Sequence, residues 1–177
     1  SGSAFQHVGI NISAADFQCG SLSDLLSDTF GAACIPLSHA ILEVTESVYI
    51  SQRDRTVANE IKALRARGLK VALDDFGTGH SSLAKLKTLP IHALKIDREF
   101  VKDIPDNSDD MQLAASIIRM AQGLHLLTVA EGVETQEQYD FLAQAGCDKF
   151  QGYLLSRPVT AEKIYTLLAA SAELATA

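Results

Sequence analysis

The stretch Leu69-Lys70-Val71-Ala72-Leu73-Asp74-Asp75-Phe76-Gly77-Thr78-Gly79 decides how the rest of the chain is read. Its first half is a short apolar run, the pattern of a strand buried on both faces. Two adjacent carboxylates then end the run, and a glycine turn follows. Buried charge is costly without a partner, so the two aspartates mark the strand's C-terminal end, where chemistry is possible. The glycines alone say little, since Gly77 and Gly79 can simply supply positive φ at a tight bend.

The same pattern recurs on either side. Strands are expected over 7–12, 40–45, 69–74, 92–96, 126–130 and 149–152. Helices with a 3.6-residue period fall between them over 53–67, 109–122 and 136–145, and less regular helices fit 21–30, 82–87 and 161–170. The helix over 53–67 puts Val57, Ile61 and Leu64 on one face and stops at Gly68, while that over 109–122 is expected to bury Leu113, Ile117 and Met120 and stops at Gly123. Thr135 with Gln138 forms a capping box for the helix over 136–145, which closes at Gly146.

Six consecutive βα units with no hairpin signal imply a parallel sheet, either an open doubly wound sheet or a (β/α)8 barrel. A barrel needs eight strands and about 250 residues. With 177 residues, either the sheet is open or the first two units lie outside the chain.

Composition narrows the function. Fifteen Lys and Arg against 22 Asp and Glu give a net charge of −7, which argues against binding DNA or RNA polymers through their phosphates. It leaves room for a small phosphate-bearing ligand whose charge is met by metal ions. Hydrophobic residues at 47% are enough for one sizeable core. Cys19, Cys34 and Cys147 form no CxxC pair, which suits a reducing, cytoplasmic setting. No apolar run reaches the roughly 18–20 residues of a membrane span. Ser1-Gly2-Ser3 reads as a cloning scar, leaving 4–177 as a single domain that starts inside a longer protein.

Each expected strand ends in a polar side chain: Asn11, then Glu43 and Glu46, then Asp74-Asp75, then Lys95 with Asp97, then Glu131, and Gln151 in the sixth. In a parallel barrel all strand C-termini open on one face, so these distant residues would converge. Glu43, Asp74, Asp75 and Glu131 would then share one mouth and repel one another unless hard divalent cations, Mg²⁺ or Mn²⁺, lie between them. Two such ions clamp the attacking and leaving oxygens of a phosphoester displacement. Lys95 nearby would orient a water or help deprotonate it, and phosphodiester hydrolysis is the reaction class. Any one of these acids alone is more simply a solvated loop residue or a helix cap. Glu46 on its own reads as a cap, and His7, His39, His80, His92 and His125 as surface or packing residues. Recurrence at six strand ends favours a site.

At these positions the chain resembles the EAL family of cyclic di-GMP phosphodiesterases. The matching segments are Asn11-Ile12-Ser13, Leu42-Glu43-Val44-Thr45-Glu46-Ser47, Ala72-Leu73-Asp74-Asp75-Phe76-Gly77-Thr78-Gly79, Leu94-Lys95-Ile96-Asp97, Val129-Ala130-Glu131-Gly132-Val133-Glu134-Thr135, and Gln151-Gly152-Tyr153 followed by Arg157-Pro158. The resemblance implies a TIM-like (β/α)8 barrel of the EAL type, its first strand antiparallel, with six βα units here and the first two missing. It implies Mg²⁺- or Mn²⁺-dependent opening of cyclic di-GMP to pGpG. By motif, Asn11, Glu43 and Asp74 correspond to ligands of one metal, and Asp74, Asp75 and Glu131 to those of a second. Lys95 corresponds to the lysine beside the nucleophilic water, and Gln151, Asp97 and Pro158 to the substrate pocket. Glu46 corresponds to a glutamate steadying the loop 76–80, which in the family links metal binding to dimer contacts. The resemblance also implies a homodimer, and an upstream sensory or diguanylate cyclase domain, with a cytoplasmic location even where the parent is membrane-anchored.

Two departures stand out. His80 replaces the family's usual tyrosine. The Glu-Ala-Leu tripeptide, which supplies a metal ligand and is followed by a phosphate-contacting arginine, belongs upstream of Asn11 and is not among these residues. The fragment alone is therefore expected to be weak or inactive. The alternatives are a degenerate cyclic di-GMP receptor and a protein-interaction module, including a strand-swapped dimer. A kinase reading of Asp75-Phe76-Gly77 fails for want of a His-Arg-Asp loop and an upstream GxGxxG.

Overall fold

The computed structural model describes residues 7–18, 20–45, 48, 56–77, 86–87 and 89–174. Six strands, β1 (Val8–Ile12), β2 (Ala40–Thr45), β3 (Lys70–Phe76), β4 (Ala93–Ile96), β5 (Leu127–Glu131) and β6 (Lys149–Gln151), form one sheet in the order β1-β2-β3-β4-β5-β6. Every neighbouring pair is parallel. The helices are α1 (Leu22–Ala32), α2 (Thr56–Ala66), α3 (Ser108–Gly123), α4 (Gln136–Gln144) and α5 (Ala161–Leu174), with single 3₁₀ turns at Leu37–His39 and Arg98–Phe100.

Strand order separates the two architectures that the sequence left open. A doubly wound sheet reverses direction at a switch point, whereas here each strand follows its predecessor on the same side. Right-handed crossovers in unbroken sequence put all the helices on one face of the sheet. The result is a TIM-like barrel wall of six strands, an incomplete barrel. Among the described residues, β1 and β6 pair on one side only.

The helix-covered face is the core. Ala40, Leu42 and Val44 of β2 are fully buried, as are Val71 and Leu94, and they pack with Val57, Ile61 and Leu64 of α2. A second cluster joins Ile96 and Ala130 to Ala114 and Ile118 of α3 and Leu142 of α4. The alternating residues Ile41, Glu43 and Thr45 are only partly buried, because they line the inner face.

The capping box at Thr135 and Gln138 forms as expected. Helix α3 differs from expectation. Leu113 is 47% exposed, Ile117 and Met120 are partly buried, and Ala114, Ile118 and Ala121 are the fully buried residues. The two triplets share one spacing, so periodicity cannot choose between them. Close approach of α3 to β4 and β5 favours the stripe with two alanines. Strand β3 extends to Phe76 through a bulge at the two aspartates. Most of the expected helix over 82–87 lies outside the described residues, as do the start of the helix over 53–67, Cys19, Glu46, and positions 78–80 of the loop.

Candidate active site

Lys95 is the hub. Strand β4 is buried along its whole length, and Lys95 itself is 4% exposed. A lysine so deep needs partners. Its Nζ donates to Glu43 Oε2 at 2.7 Å and to Asp74 Oδ2 at 3.1 Å, and it pairs with Glu131 Oε1 at 2.6 Å. These carboxylates come from β2, β3 and β5, so three crossovers bring them to one point. Burial alone would favour the neutral amine. Hydrogen bonds to Glu131 and Glu43 and the charges of Glu131 and Asp74 more than offset it, holding the Lys95 pKa above the ordinary lysine range.

Asp74 and Asp75 reach the same rim only because β3 is irregular. In a regular strand, successive side chains point to opposite faces. Here the register against β4 shifts between Leu73 and Phe76, and Asp75 adopts φ +53°. A bulge re-aims a side chain in this way at barrel rims. Aspartate tolerates the left-handed region better than most residues, at a cost of about 1–2 kcal/mol. Single oxygens of Asp74, Asp75 and Glu131 consequently lie within 4.8 Å of one another. Burial, then the neighbouring carboxylates of Asp74 and Asp97, pushes the Asp75 pKa up. Burial also raises that of Glu131, against the opposing pull of Lys95.

One ammonium thus faces the carboxylates of Glu43, Asp74, Asp75 and Glu131. This all-oxygen, crowded set has excess negative charge and fits a hard divalent cation.

The EAL domain family model matches residues 2–158. The chain belongs to this family. It is 40% identical over 168 residues to the bifunctional diguanylate cyclase/cyclic di-GMP phosphodiesterase MucR of Pseudomonas aeruginosa, covering 95% of this chain and 24% of MucR. Identity to the cyclic di-GMP phosphodiesterase NbdA of the same organism is 45% over 152 residues, covering 86% of this chain and 19% of NbdA. The chain therefore spans a quarter or less of these relatives. The solved MucR phosphodiesterase in complex with c-di-GMP superposes with a TM-score of 0.82 at 40% identity, covering 89% of this chain and 64% of that one. A manganese and c-di-GMP complex of Klebsiella pneumoniae BlrP1 superposes with a TM-score of 0.80 at 35% identity, covering 88% and 40%.

The other described residues expected at the site flank the cluster. Asn11 stands beside Glu43 in the β1–β2 register, and Gln151 beside Glu131 in the β5–β6 register; both are exposed. Asp97 caps the 3₁₀ turn by accepting from the Glu99 N–H at 2.7 Å, and it also lies against Asp75. Pro158 lines an open pocket with Gln151, Tyr153 and Arg157, whose guanidinium carbon sits 4.4 Å from the Tyr153 ring centre. A neighbouring pocket shares Gln151 and Tyr153 and reaches Glu131 and Arg98. The two pockets run from the carboxylates to Pro158.

Gly9 was not singled out from the sequence, yet it bears on the site. A Cβ there would meet the Glu43 carboxylate, so a side chain at position 9 would push that carboxylate aside. The available signal was a glycine inside a strand two residues before Asn11 on the same face. His92 is a packing residue: its Nδ1 accepts from the Val71 N–H at 3.2 Å. Among the described residues no histidine joins the carboxylate group.

Proposed function

We propose that this chain forms the larger part of a metal-dependent phosphodiesterase domain that hydrolyses cyclic di-GMP to pGpG in bacterial second-messenger signalling. The carrying observation is the convergence of Glu43, Asp74 and Glu131 on Lys95, with Asp75 turned to the same rim. Membership of a family whose relatives are named for this activity supports the reading.

In this reading Asn11, Glu43 and Asp74 would hold one Mg²⁺ or Mn²⁺. Asp74, Asp75 and Glu131 would hold a second. When bound, such ions polarise the phosphate and make water a nucleophile at neutral pH. The side chains do the rest. Lys95 offers donors beside the reacting phosphate and orients the water, while Glu131, Asp75 and Lys95 form the catalytic group. Gln151, Asp97 and Pro158 bind the nucleotide along the two connected pockets. Water adds to one phosphorus, one P–O3′ bond breaks, and the proton ends on the released 3′ oxygen. Glu46 steadies the loop 76–80. In this reading the parent works in the cytoplasm as a homodimer with a sensory or cyclase domain upstream; the name of MucR, a bifunctional diguanylate cyclase/cyclic di-GMP phosphodiesterase, supports the cyclase part alone.

Calorimetry of the chain with cyclic di-GMP tests this. Binding that needs Mn²⁺ or Ca²⁺ and is lost in Asp74→Asn is expected, with weak pGpG formation at most. Tight metal-independent binding would favour a receptor, and binding unchanged by Asp74→Asn would overturn the metal site. Light scattering that finds only monomer at high concentration would remove the homodimer.

A further inference from the structure

Two ion pairs join the C-terminal ends of β4 and β5, three residues apart on each side. The first is Lys95 with Glu131, inside the cluster. The second is Arg98 with Glu134, Nη2 to Oε1 at 2.9 Å, outside it. Between Glu131 and Glu134 the chain turns at Gly132, whose φ is +67°. The aliphatic stem of Arg98 lies directly on that turn: a Cβ on Gly132 would overlap Arg98 Cγ and approach its Cβ to 2.8 Å. Arg98 therefore presses on the turn with its stem and holds the far side of it with its guanidinium.

The rest of the loop is anchored independently of Arg98. The Val133 N–H donates to the Gln151 carbonyl at 3.1 Å, and the Leu154 N–H donates to the Val133 carbonyl at 3.0 Å. Gln138 accepts from the N–H groups of Glu134 and Thr135 at 2.7 and 3.1 Å and donates to the Lys102 carbonyl at 3.2 Å. Gly132, between Glu131 and these anchors, has the stem of Arg98 packed against it. The pair itself is half in water, with side chains 61% and 39% exposed. Such pairs contribute little to stability, so a role in folding does not account for the arrangement.

We infer that Arg98 and Glu134 are positioning residues that hold the Gly132 turn and thereby aim the Glu131 carboxylate at the metal. The inference rests on the proposed role of Glu131 as a ligand. Electrostatics and positioning make opposite predictions for Arg98. Removing a cation near a divalent-ion site should tighten binding by simple Coulomb attraction, whereas loosening the turn should weaken it.

Mn²⁺ titration of the 177-residue chain, followed by calorimetry, tests this on Arg98→Ala, Glu134→Ala, the double variant, Arg98→Lys and Glu131→Gln. Each single alanine variant is expected to weaken Mn²⁺ binding about 3–10-fold. The double variant should be no worse than the weaker single one, as for residues acting as a unit. Arg98→Lys should recover part of the loss, and melting temperatures should stay close to that of the parent. Unchanged or tighter binding in Arg98→Ala, with Glu131→Gln still weakened, would overturn the clamp and leave the metal reading standing. Mn²⁺ binding insensitive to Glu131→Gln, or absent in the parent chain, would overturn both.

Discussion

The two faces of the sheet obey opposite rules. On the helix side, Leu42, Val44, Val71, Leu73, Leu94 and Ile96 are at most 1% exposed and pack apolar against apolar. On the inner side, Glu43, Asp74 and Lys95 of the same strands and Glu131 of β5 have side chains 5–20% exposed. The first face gains stability from every contact. The second concentrates like charge around one ammonium and strains one backbone position, so it is held in place by the first. Consecutive residues of β4, Leu94 and Lys95, belong to the two different faces.

Variants of those two residues give the largest expected effects. Lys95→Met should destabilise by about 3–5 kcal/mol, since removing one partner strands buried charge. Millimolar Mn²⁺ should restore part of that loss, read as a shift in urea midpoint. Leu94→Ala should cost about 2–5 kcal/mol through the cavity it leaves, and Mn²⁺ should restore no more than it adds to the parent. If metal rescued both variants equally, the distinction between the faces would fail.

A smaller effect sharpens the comparison on the charged side. Asp75→Asn keeps a residue that accepts positive φ but removes a carboxylate whose ionisation the fold resists. It should leave metal-free stability equal or up to about 1 kcal/mol higher, while weakening Mn²⁺ affinity at least tenfold. A drop in both would mean that Asp75 serves the fold.

The smallest effect concerns His92, just before β4, which lines an inner-face pocket with His7 and Lys70. Burial, with the charges of Arg65 and Lys70, lowers the pKa of His92. The folded state thus favours neutral His92, and its contribution is fully present above the unfolded value of about 6.5. It is lost as pH falls from there toward the lowered folded value. His92→Gln should therefore show a shallower loss of stability than the parent between about pH 7.5 and 5.5, compared by urea midpoints. Parallel slopes would remove His92 from the acid sensitivity.

Much of this molecule was legible from its residues. Short apolar runs separated by capped amphipathic segments betray parallel strands, because such strands are buried on both faces and need helical crossovers. Acids at the ends of those runs betray a site, because a core strand has no use for them. Other features were illegible for equally physical reasons. Leu113/Ile117/Met120 and Ala114/Ile118/Ala121 have identical spacing, and only the distance to the sheet chooses the second set. The room that Gly9 leaves is taken up by the carboxylate of Glu43, a residue 34 positions away.

The sequence by itself determined the order of elements, the family, and which side chains carry charge at strand ends, since those are local properties of pattern and residue type. Tertiary structure alone decided that the sheet curls as a barrel wall rather than winding twice, that Asp75 turns to the side of Asp74, and that Arg98 rests on Gly132. Each of these depends on what lies across the sheet, and a chain of residues holds no record of its distant neighbours until crossovers bring them within a few ångströms.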